Sequence, residues 1–478
     1  MKKRHRSGKR VTRIGLSVLL VAAMAAFAVG CSRASGDSAG RTTKPSPVAS
    51  AAPGQNYDRN EKAELTIWMT QVGTYKPGQK PGEWVKDDLV PEWNKVFPNV
   101  KVNVEIIPFD LVNEKITTAI ASRTTPDILM DYPGRTLAYG QMGALLKLDD
   151  ILPPTDLVQI HKNLDIMKMV SVKGDIVTMP YYATQVALLL NRSLWKEAGA
   201  ENLLPQNPDR TWTPEQFKAA LKAVANKEKG VYGLTLFALN EQGDQLYNNL
   251  LVSFGAKLFN DDYSKFTAAD SPGSEEALAF LKSLVDEGLV NPHPETLTSV
   301  NALDLWRQRK NGMIVANATH SDLIVNGLKD GSVAAPHEYM YVNFPSTTPG
   351  KSALKTEIGF GVAFKTGNAT REKWAKKFLY WSMNENTIFA GATKTFNPLG
   401  NEPAWVVSDP ELRFLAKLSM KTKEWPVVDS GWGIKGYPEM RAAMFPEMQR
   451  LFIGQTTPKQ AIANISAKTN DVIAKYKK

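Results

Sequence analysis

The chain has 478 residues, of which 22% are charged and 43% are hydrophobic, and its formal net charge is +10. Seven Lys and Arg residues but no Asp or Glu lie within residues 1–30, so the remainder has 51 basic and 48 acidic residues and is close to neutral. This balance argues against a protein that follows nucleic-acid phosphates with a basic stripe, and we expect no nucleic-acid partner. The length allows two domains.

The first segment of the chain has the pattern of a secretion signal. Basic residues precede an apolar run over residues 14–29, which is short for a membrane-spanning helix, so residues 1–30 are predicted to be a signal peptide. The segment Ala28-Val29-Gly30-Cys31, with the only cysteine of the chain, resembles the lipobox of bacterial lipoproteins, although Ala28 stands where that family usually has Leu. The resemblance implies that Cys31 carries acyl chains such as palmitate and anchors the protein on the outer face of the cell membrane. An ordinary secreted protein with a free thiol is the alternative.

Residues 31–60 are predicted to be a flexible tether. They are rich in Ser, Ala, Gly, Pro and Thr and have almost no large apolar side chains, so they cannot bury enough surface to offset the entropy of ordering. With Cys31 acylated, the rest of the chain has no thiol for a disulfide or for a cysteine-ligated metal.

The next segments alternate between strand and helix patterns. They are a strand over Glu64–Thr70, a helix over Trp84–Phe97, a strand over Val100–Ile107, a helix over Phe109–Ser122 and a strand over Pro126–Met130. This order is typical of a parallel sheet with helices on its faces. Because ligands of such sheets bind beyond the carboxyl ends of strands, we expect the site in the loops after Met69 and Met130.

A second series follows with similar patterns. Thr213 and Pro214 have the residue types of an N-cap and a first helical position. The predicted segments are 176–180, 186–191 and 231–237 as strands, a short element over 194–198, and helices over 244–254 and 274–287.

The order of several short blocks resembles the extracellular solute-binding proteins of bacterial ABC importers, in the sugar-binding family that includes maltose-binding protein. The blocks are Leu65–Trp68, Glu92–Pro98, Pro126–Ile128, Gly143–Asp150, Met179–Tyr181, Leu190–Trp195, Thr211–Thr213, Gly255–Leu258, Phe280–Leu284, Gly288–Val290 and Lys310–Met313. This resemblance implies an α/β clamshell of two lobes, each with a mostly parallel sheet flanked by helices. It also implies three hinge crossings and a ligand held between the lobes.

The resemblance also suggests where the lobes divide. We expect the first lobe at 61–183 plus 360–410 and the second at 184–359 plus 411–478, with crossings near 181–186, 358–362 and 409–414. The implied partners are a carbohydrate ligand and the subunits of a membrane permease, with the chain acting as a monomer.

Catalytic motifs are missing from the sequence. There is no HExxH or GxSxG motif, and Gly359-Phe360-Gly361 begins a dinucleotide fingerprint that Phe364 interrupts. We therefore expect no enzymatic activity, no cofactor and no metal. Two alternatives stay open, a polysaccharide hydrolase with two carboxylates distant in sequence and a binding protein for a non-sugar such as a peptide or polyamine.

Aromatic and polar residues near the predicted cleft are the candidates for contact with a ligand. A sugar ring has an apolar face and an edge of hydroxyl groups, so an aromatic floor with planar polar side chains suits it. The aromatic candidates are Trp68, Tyr75, Tyr132, Tyr181, Tyr182, Trp432 and Tyr437, and the polar ones are Asp131, Gln185, Gln242, Asn317 and His320. Trp432 is the leading candidate because its glycine neighbours leave the ring without local support. The tryptophans at 93, 195, 212, 306, 374 and 381 are expected in the core.

Overall fold

The computed structural model describes residues 57–109, 111–181, 183–395 and 409–477. The predicted signal peptide, Cys31, most of the predicted tether and Tyr182 lie outside these residues. No helix in the described ranges is long and apolar enough to cross a membrane.

Strands and helices alternate along the described chain. The strands are β1 (Ala63–Thr70), β2 (Val100–Ile107), β3 (Ile128–Met130), β4 (Ser171–Val172), β5 (Asp175–Ile176), β6 (Ala183–Asn191), β7 (Tyr232–Leu234), β8 (Asn311–Ala316), β9 (Tyr339–Val342), β10 (Lys355–Ile358) and β11 (Val362–Ala363). The helices are α1 (Val90–Val96), α2 (Val112–Ser122), α3 (Pro133–Gln141), α4 (Pro154–Lys162), α5 (Leu164–Val170), α6 (Arg192–Glu197), α7 (Pro214–Val224), α8 (Asp244–Ser253), α9 (Pro272–Asp286), α10 (Ser299–Arg307), α11 (Thr319–Asp330), α12 (Ala369–Tyr380), α13 (Ile388–Thr393), α14 (Pro410–Leu418), α15 (Tyr437–Ala442), α16 (Met444–Phe452) and α17 (Pro458–Lys477).

The first sheet is the parallel sheet that the alternating pattern predicts. Its strand order is β11-β3-β1-β2, and β1 pairs in parallel with both β2 and β3. The carboxyl ends of these three strands therefore lie at one edge of the sheet, where the loops after residues 70, 107 and 130 begin.

The second sheet differs from the expectation of a mostly parallel sheet in each lobe. Its order is β10-β6-β8-β7, with β9 also on β6, and the pairings of β6 with β8, β9 and β10 are all antiparallel. Only β7 and β8 are parallel. The expectation was wrong because β6, the longest strand, runs opposite to all three of its partners. The chain passes from the second sheet at Ile358 to the first at Val362, and the wider lobe boundaries stay a prediction.

Local sequence signals place several helix boundaries. Thr213 caps α7 in a capping box: its hydroxyl accepts the Gln216 backbone N–H, while the Gln216 side chain accepts the Thr213 backbone N–H. The helix predicted over Trp84–Phe97 is instead a π-helical turn, Val85–Leu89, followed by α1.

The buried residues form three clusters. One, with Leu65 and Trp374, lies between the first sheet and α1 and α12, and another, with Leu189 and Trp306, lies between the second sheet and α10 and α14. The largest includes Leu129 of β3, Leu188 of β6 and Trp432, so the two lobes are in contact. The six tryptophans expected in the core are at most 5% exposed, which confirms that prediction.

Candidate functional site

A cavity of about 390 Å³ lies where the carboxyl ends of β1, β2 and β3 face the second lobe. Its volume is in the range of roughly 300–1,000 Å³ found for small-molecule sites. From the first lobe it is lined by Gln71, Val72, Gly73, Thr74, Gly78, Gln79, Pro81, Phe109, Tyr132, Pro133, Gly134 and Arg135. From residues 237–441 it is lined by Phe237, Gln242, Gln245, Ser299, Val300, Leu303, Arg307, Ile314, Val315, Asn317, Thr319, His320, Leu323, Asn326, Gly327, Asp330, Ser332, Lys355, Glu357, Trp432, Tyr437 and Arg441.

Two aromatic rings and one ion pair form the first-lobe wall. The rings of Phe109 and Tyr132 meet edge to face, with 5.7 Å between their centroids. Arg135 lies 4.2 Å from the Phe109 centroid, and its Nε and Nη2 donate to the two carboxylate oxygens of Asp131 at 2.7 and 2.6 Å. Because this bidentate pair is buried, it holds the guanidinium still beside the rings.

Trp432 and Tyr437 form the opposite aromatic wall. The indole Nε1 of Trp432 donates to the Tyr437 hydroxyl at 2.9 Å, and the two residues are only 7% and 5% exposed. A Cβ at Gly134 would lie 2.4 Å from Cε1 of Tyr437, so α3 approaches this wall as closely as it does because residue 134 is glycine. The expectation that the glycine neighbours of Trp432 leave its ring without packing contacts was wrong, because the ring is packed on several sides. The flanking Gly431 has a φ of +71°, which explains the glycine there by backbone geometry.

Buried charges lie at the floor of the cavity. Arg441 donates from Nε and Nη2 to the two oxygens of Asp244, at 2.7 and 2.9 Å. Burial raises the pKa of Asp244, but the charges of Arg441 and Lys355 outweigh it, so the pKa lies below its ordinary value. Glu357 lies 3.8 Å from Lys355, and burial raises its pKa against the opposing effect of that lysine. One oxygen of Glu357 has no hydrogen-bond partner among the described residues, so a ligand hydroxyl could donate to it.

Polar side chains from the second lobe complete the rim. The Ser299 hydroxyl donates to the Gln242 side chain, and the Asn317 side chain accepts the backbone N–H of Thr319 at 3.1 Å. His320 follows at the start of α11. Burial lowers the pKa of His320 to about 4, against an opposing hydrogen bond with the Asn317 backbone, and the charge of Arg307 lowers it further.

The structure brings together six of the predicted site residues and places five others elsewhere, while Tyr182 lies outside the described residues. Tyr132, Gln242, Asn317, His320, Trp432 and Tyr437 line the cavity. Asp131 does not line the cavity, and its carboxylate pairs with Arg135, which does.

Four other predicted residues do not line the cavity. Trp68 lies on β1 beneath the Lys115 ammonium, 4.2 Å from its ring, and Tyr75 is 40% exposed on the loop after β1. Tyr181 is buried and donates to Asp156 at 2.5 Å. Gln185 is buried on β6 and donates to the side chains of Thr356 and Ser419. Trp68, Tyr181 and Gln185 are thus held by structural contacts of their own. For Trp68 and Gln185, strand alternation does not tell which face of a sheet adjoins a cleft.

Sequence reasoning missed the charged residues of the cavity, chiefly Arg135, Lys355, Glu357 and Arg441. Only one signal was available. Lys355 and Glu357 are two residues apart on a strand, with Thr356 between them, so both side chains point to the same face.

His320 makes the stability of the protein depend on pH. In the unfolded chain a histidine binds a proton near pH 6.5, whereas folded His320 stays neutral until about pH 4. The unfolding free energy therefore falls as the pH drops from 6.5 towards 4, by up to about 3 kcal/mol from this residue. We expect His320→Gln to lose less stability than the parent between pH 7 and pH 4.5 in urea titrations. Parallel pH curves for the two proteins would contradict this, and His293→Gln, an exposed histidine, is the control.

Contacts outside the cavity also join the lobes. Gln141 donates to the Gly433 carbonyl at 2.7 Å, and Lys394 forms an ion pair of 2.8 Å with Asp322 on α11. Within the described ranges, no group of three His, Cys, Asp or Glu side chains is arranged to hold a metal ion.

Known proteins share this architecture. A protein of Brucella abortus described as a binding protein is 22% identical over 383 residues, which cover 79% of this chain and 87% of the relative. The diacetylchitobiose binding protein DasA of Streptomyces coelicolor is 23% identical over 206 residues, 43% of each chain. An ABC substrate-binding protein of Listeria monocytogenes, solved in complex with cycloalternan, is 21% identical and superposes with a TM-score of 0.68 over 87% of this chain and 99% of that one. The family model for bacterial extracellular solute-binding proteins matches residues 76–385. The two-lobed fold and this match confirm the resemblance seen in the sequence: the chain belongs to the bacterial extracellular solute-binding protein family.

Proposed function

We propose that this solute-binding protein holds a carbohydrate, an oligosaccharide in particular, in the cavity between its lobes and delivers it to an ABC permease. The observation that carries the proposal is the composition of the cavity walls. Aromatic rings at Tyr132 and Trp432 face a floor of paired charges, which suits a ligand with apolar ring faces and hydroxyl edges. A peptide or polyamine would need an excess of acidic groups, whereas the charges of Arg135 and Arg441 are each matched by a carboxylate.

Relatives support the same class of ligand. The Listeria protein was solved with cycloalternan, and the Streptomyces protein is named for diacetylchitobiose. Both ligands are oligosaccharides.

A thermal-shift screen of the protein against a glycan panel tests the proposal. A ligand at a hundred times its Kd adds about 2.7 kcal/mol to the unfolding free energy, which raises the melting temperature measurably. Recovery of the glycan intact after prolonged incubation would support binding without hydrolysis. Cleavage of the glycan would support the hydrolase instead, and shifts confined to peptides or polyamines would reject the carbohydrate.

We also propose that Cys31 is the point of lipid attachment. Cys31→Ala is expected to release the protein from the membrane, since it removes the only thiol that could carry acyl chains. Fractionation of cells expressing parent or variant measures this, with Ser32→Ala as the control. A variant that stays in the detergent-extractable membrane fraction would contradict the anchor, and glycan binding should be unchanged.

A further inference from the structure

Trp432 belongs to two cavities. Besides the cavity described above, it lines a second one of about 330 Å³. The other walls of this second cavity come from α5 in the first lobe, from Tyr263, and from residues 427–433 in the second lobe. Among the described residues, Trp432 alone lines both cavities.

The second cavity repeats the chemistry of the first. The Tyr263 hydroxyl donates to the carboxylate of Asp429, and the Lys168 ammonium lies 5.2 Å from the centroid of the Tyr263 ring and 3.7 Å from Asp429 Oδ2. An aromatic ring is thus bordered by a cation that lies near a carboxylate, as Phe109 is bordered by Arg135, the partner of Asp131, in the first cavity.

A buried hydroxyl in the second cavity has no partner. Ser430 is 9% exposed, and its Oγ makes no hydrogen bond within the described ranges. Buried polar atoms are rarely left unpaired in folded proteins. A ligand hydroxyl entering the second cavity would supply the missing hydrogen bond.

We propose that the second cavity binds a further ring of the same glycan, so that Trp432 stands between two occupied sugar sites. The inference rests on the proposed function, because it takes the ligand to be a carbohydrate. Since each cavity has walls from both lobes, a glycan filling both would bridge the lobes at two places. Polar side chains at the edge, namely Asp165, Lys168 and Ser171, could exchange hydrogen bonds with ring hydroxyls.

Calorimetric titration of the full chain in detergent, with chito-oligosaccharides and malto-oligosaccharides of increasing length, tests this. We expect affinity to rise with length until both cavities are filled. Tyr263→Leu should weaken the longer glycans by about three- to tenfold, the loss of one aromatic contact, and leave the shortest bound glycan unaffected. Ser430→Ala removes a single oxygen and should act in the same direction if Tyr263→Leu folds poorly. Tyr380→Leu, a half-buried tyrosine outside both cavities, is the matched control, and Gln242→Ala should weaken all lengths.

The outcomes separate the inference from the proposed function. If both second-cavity variants bind every length as the parent does, or weaken every length equally, the second cavity is not a sugar site, while binding by the parent still supports a carbohydrate receptor. If the parent binds no member of either series, the inference is overturned for these glycans and the result also counts against the proposed function.

Discussion

Trp432→Ala is expected to lower both the stability of the protein and its affinity for glycan. The ring is 7% exposed, belongs to the largest buried cluster and donates to Tyr437, so its removal leaves a cavity and an unpaired hydroxyl. Truncation of a buried tryptophan costs about 3–5 kcal/mol of unfolding free energy. Affinity should fall by about ten- to a hundredfold. The ring edge that contacts Tyr437 and Gly134 is not available to a ligand, so the substitution removes only the contact between the ligand and the rest of the ring.

Two further variants separate these effects. Trp432→Phe keeps an aromatic surface but loses the indole N–H, so it should retain more affinity than alanine. Trp195→Phe makes the matched change at a buried tryptophan that donates to the Ala220 carbonyl and lines neither cavity. Urea denaturation and calorimetric titration should show a loss of stability in both phenylalanine variants but a loss of affinity only at Trp432. Parental affinity in Trp432→Ala would remove this residue from the site.

Asp244→Ala is expected to cause a comparably large loss of stability, about 3–5 kcal/mol. The substitution leaves the Arg441 guanidinium buried beside the cavity without its carboxylate, and a buried charge without a partner is costly. Asp261→Ala breaks the exposed pair with Lys257 and should leave the unfolding free energy almost unchanged, which makes it the control.

The same pair predicts how acid affects the protein. Because the pKa of folded Asp244 lies below that of the unfolded chain, its contribution is present above the unfolded pKa and is lost as the pH falls through the folded pKa. The stability of Asp244→Ala should therefore approach that of the parent at low pH. A constant difference between the two proteins across the acid range would contradict the role assigned to this pair.

Several strands and helices could be predicted because their signals are local. The alternation of Val100–Ile107 and the Thr213-Pro214 cap depend on neighbours in the chain, and both predictions agree with the structure. The antiparallel pairing of β6 with β8 and β9 involves segments more than a hundred residues apart in the chain, so no local sequence pattern could predict it.

The candidate site was predictable to the extent that it follows strand ends. The loop after β3 brings Tyr132 to the cavity, as the rule for parallel sheets requires. The charged floor was not predictable, because Asp244 and Arg441 look like ordinary surface residues until the fold pairs them. The residue type alone also does not show whether an aromatic residue belongs to the site. Tyr181 and Tyr437 have the same side chain, yet only Tyr437 lines the cavity.

The ion pair between Lys394 and Asp322 is expected to influence the apparent affinity of the protein for its ligand. It connects the lobes but lines neither cavity, so we expect it to favour this arrangement of the lobes over a more open one whether or not a ligand is present. The apparent Kd of a two-state receptor equals the intrinsic Kd divided by the fraction of molecules already competent to bind. We therefore expect the charges at positions 322 and 394 to set how large that fraction is, so that substitutions there shift the ligand concentration at which the protein is half-saturated and leave its selectivity among ligands unchanged.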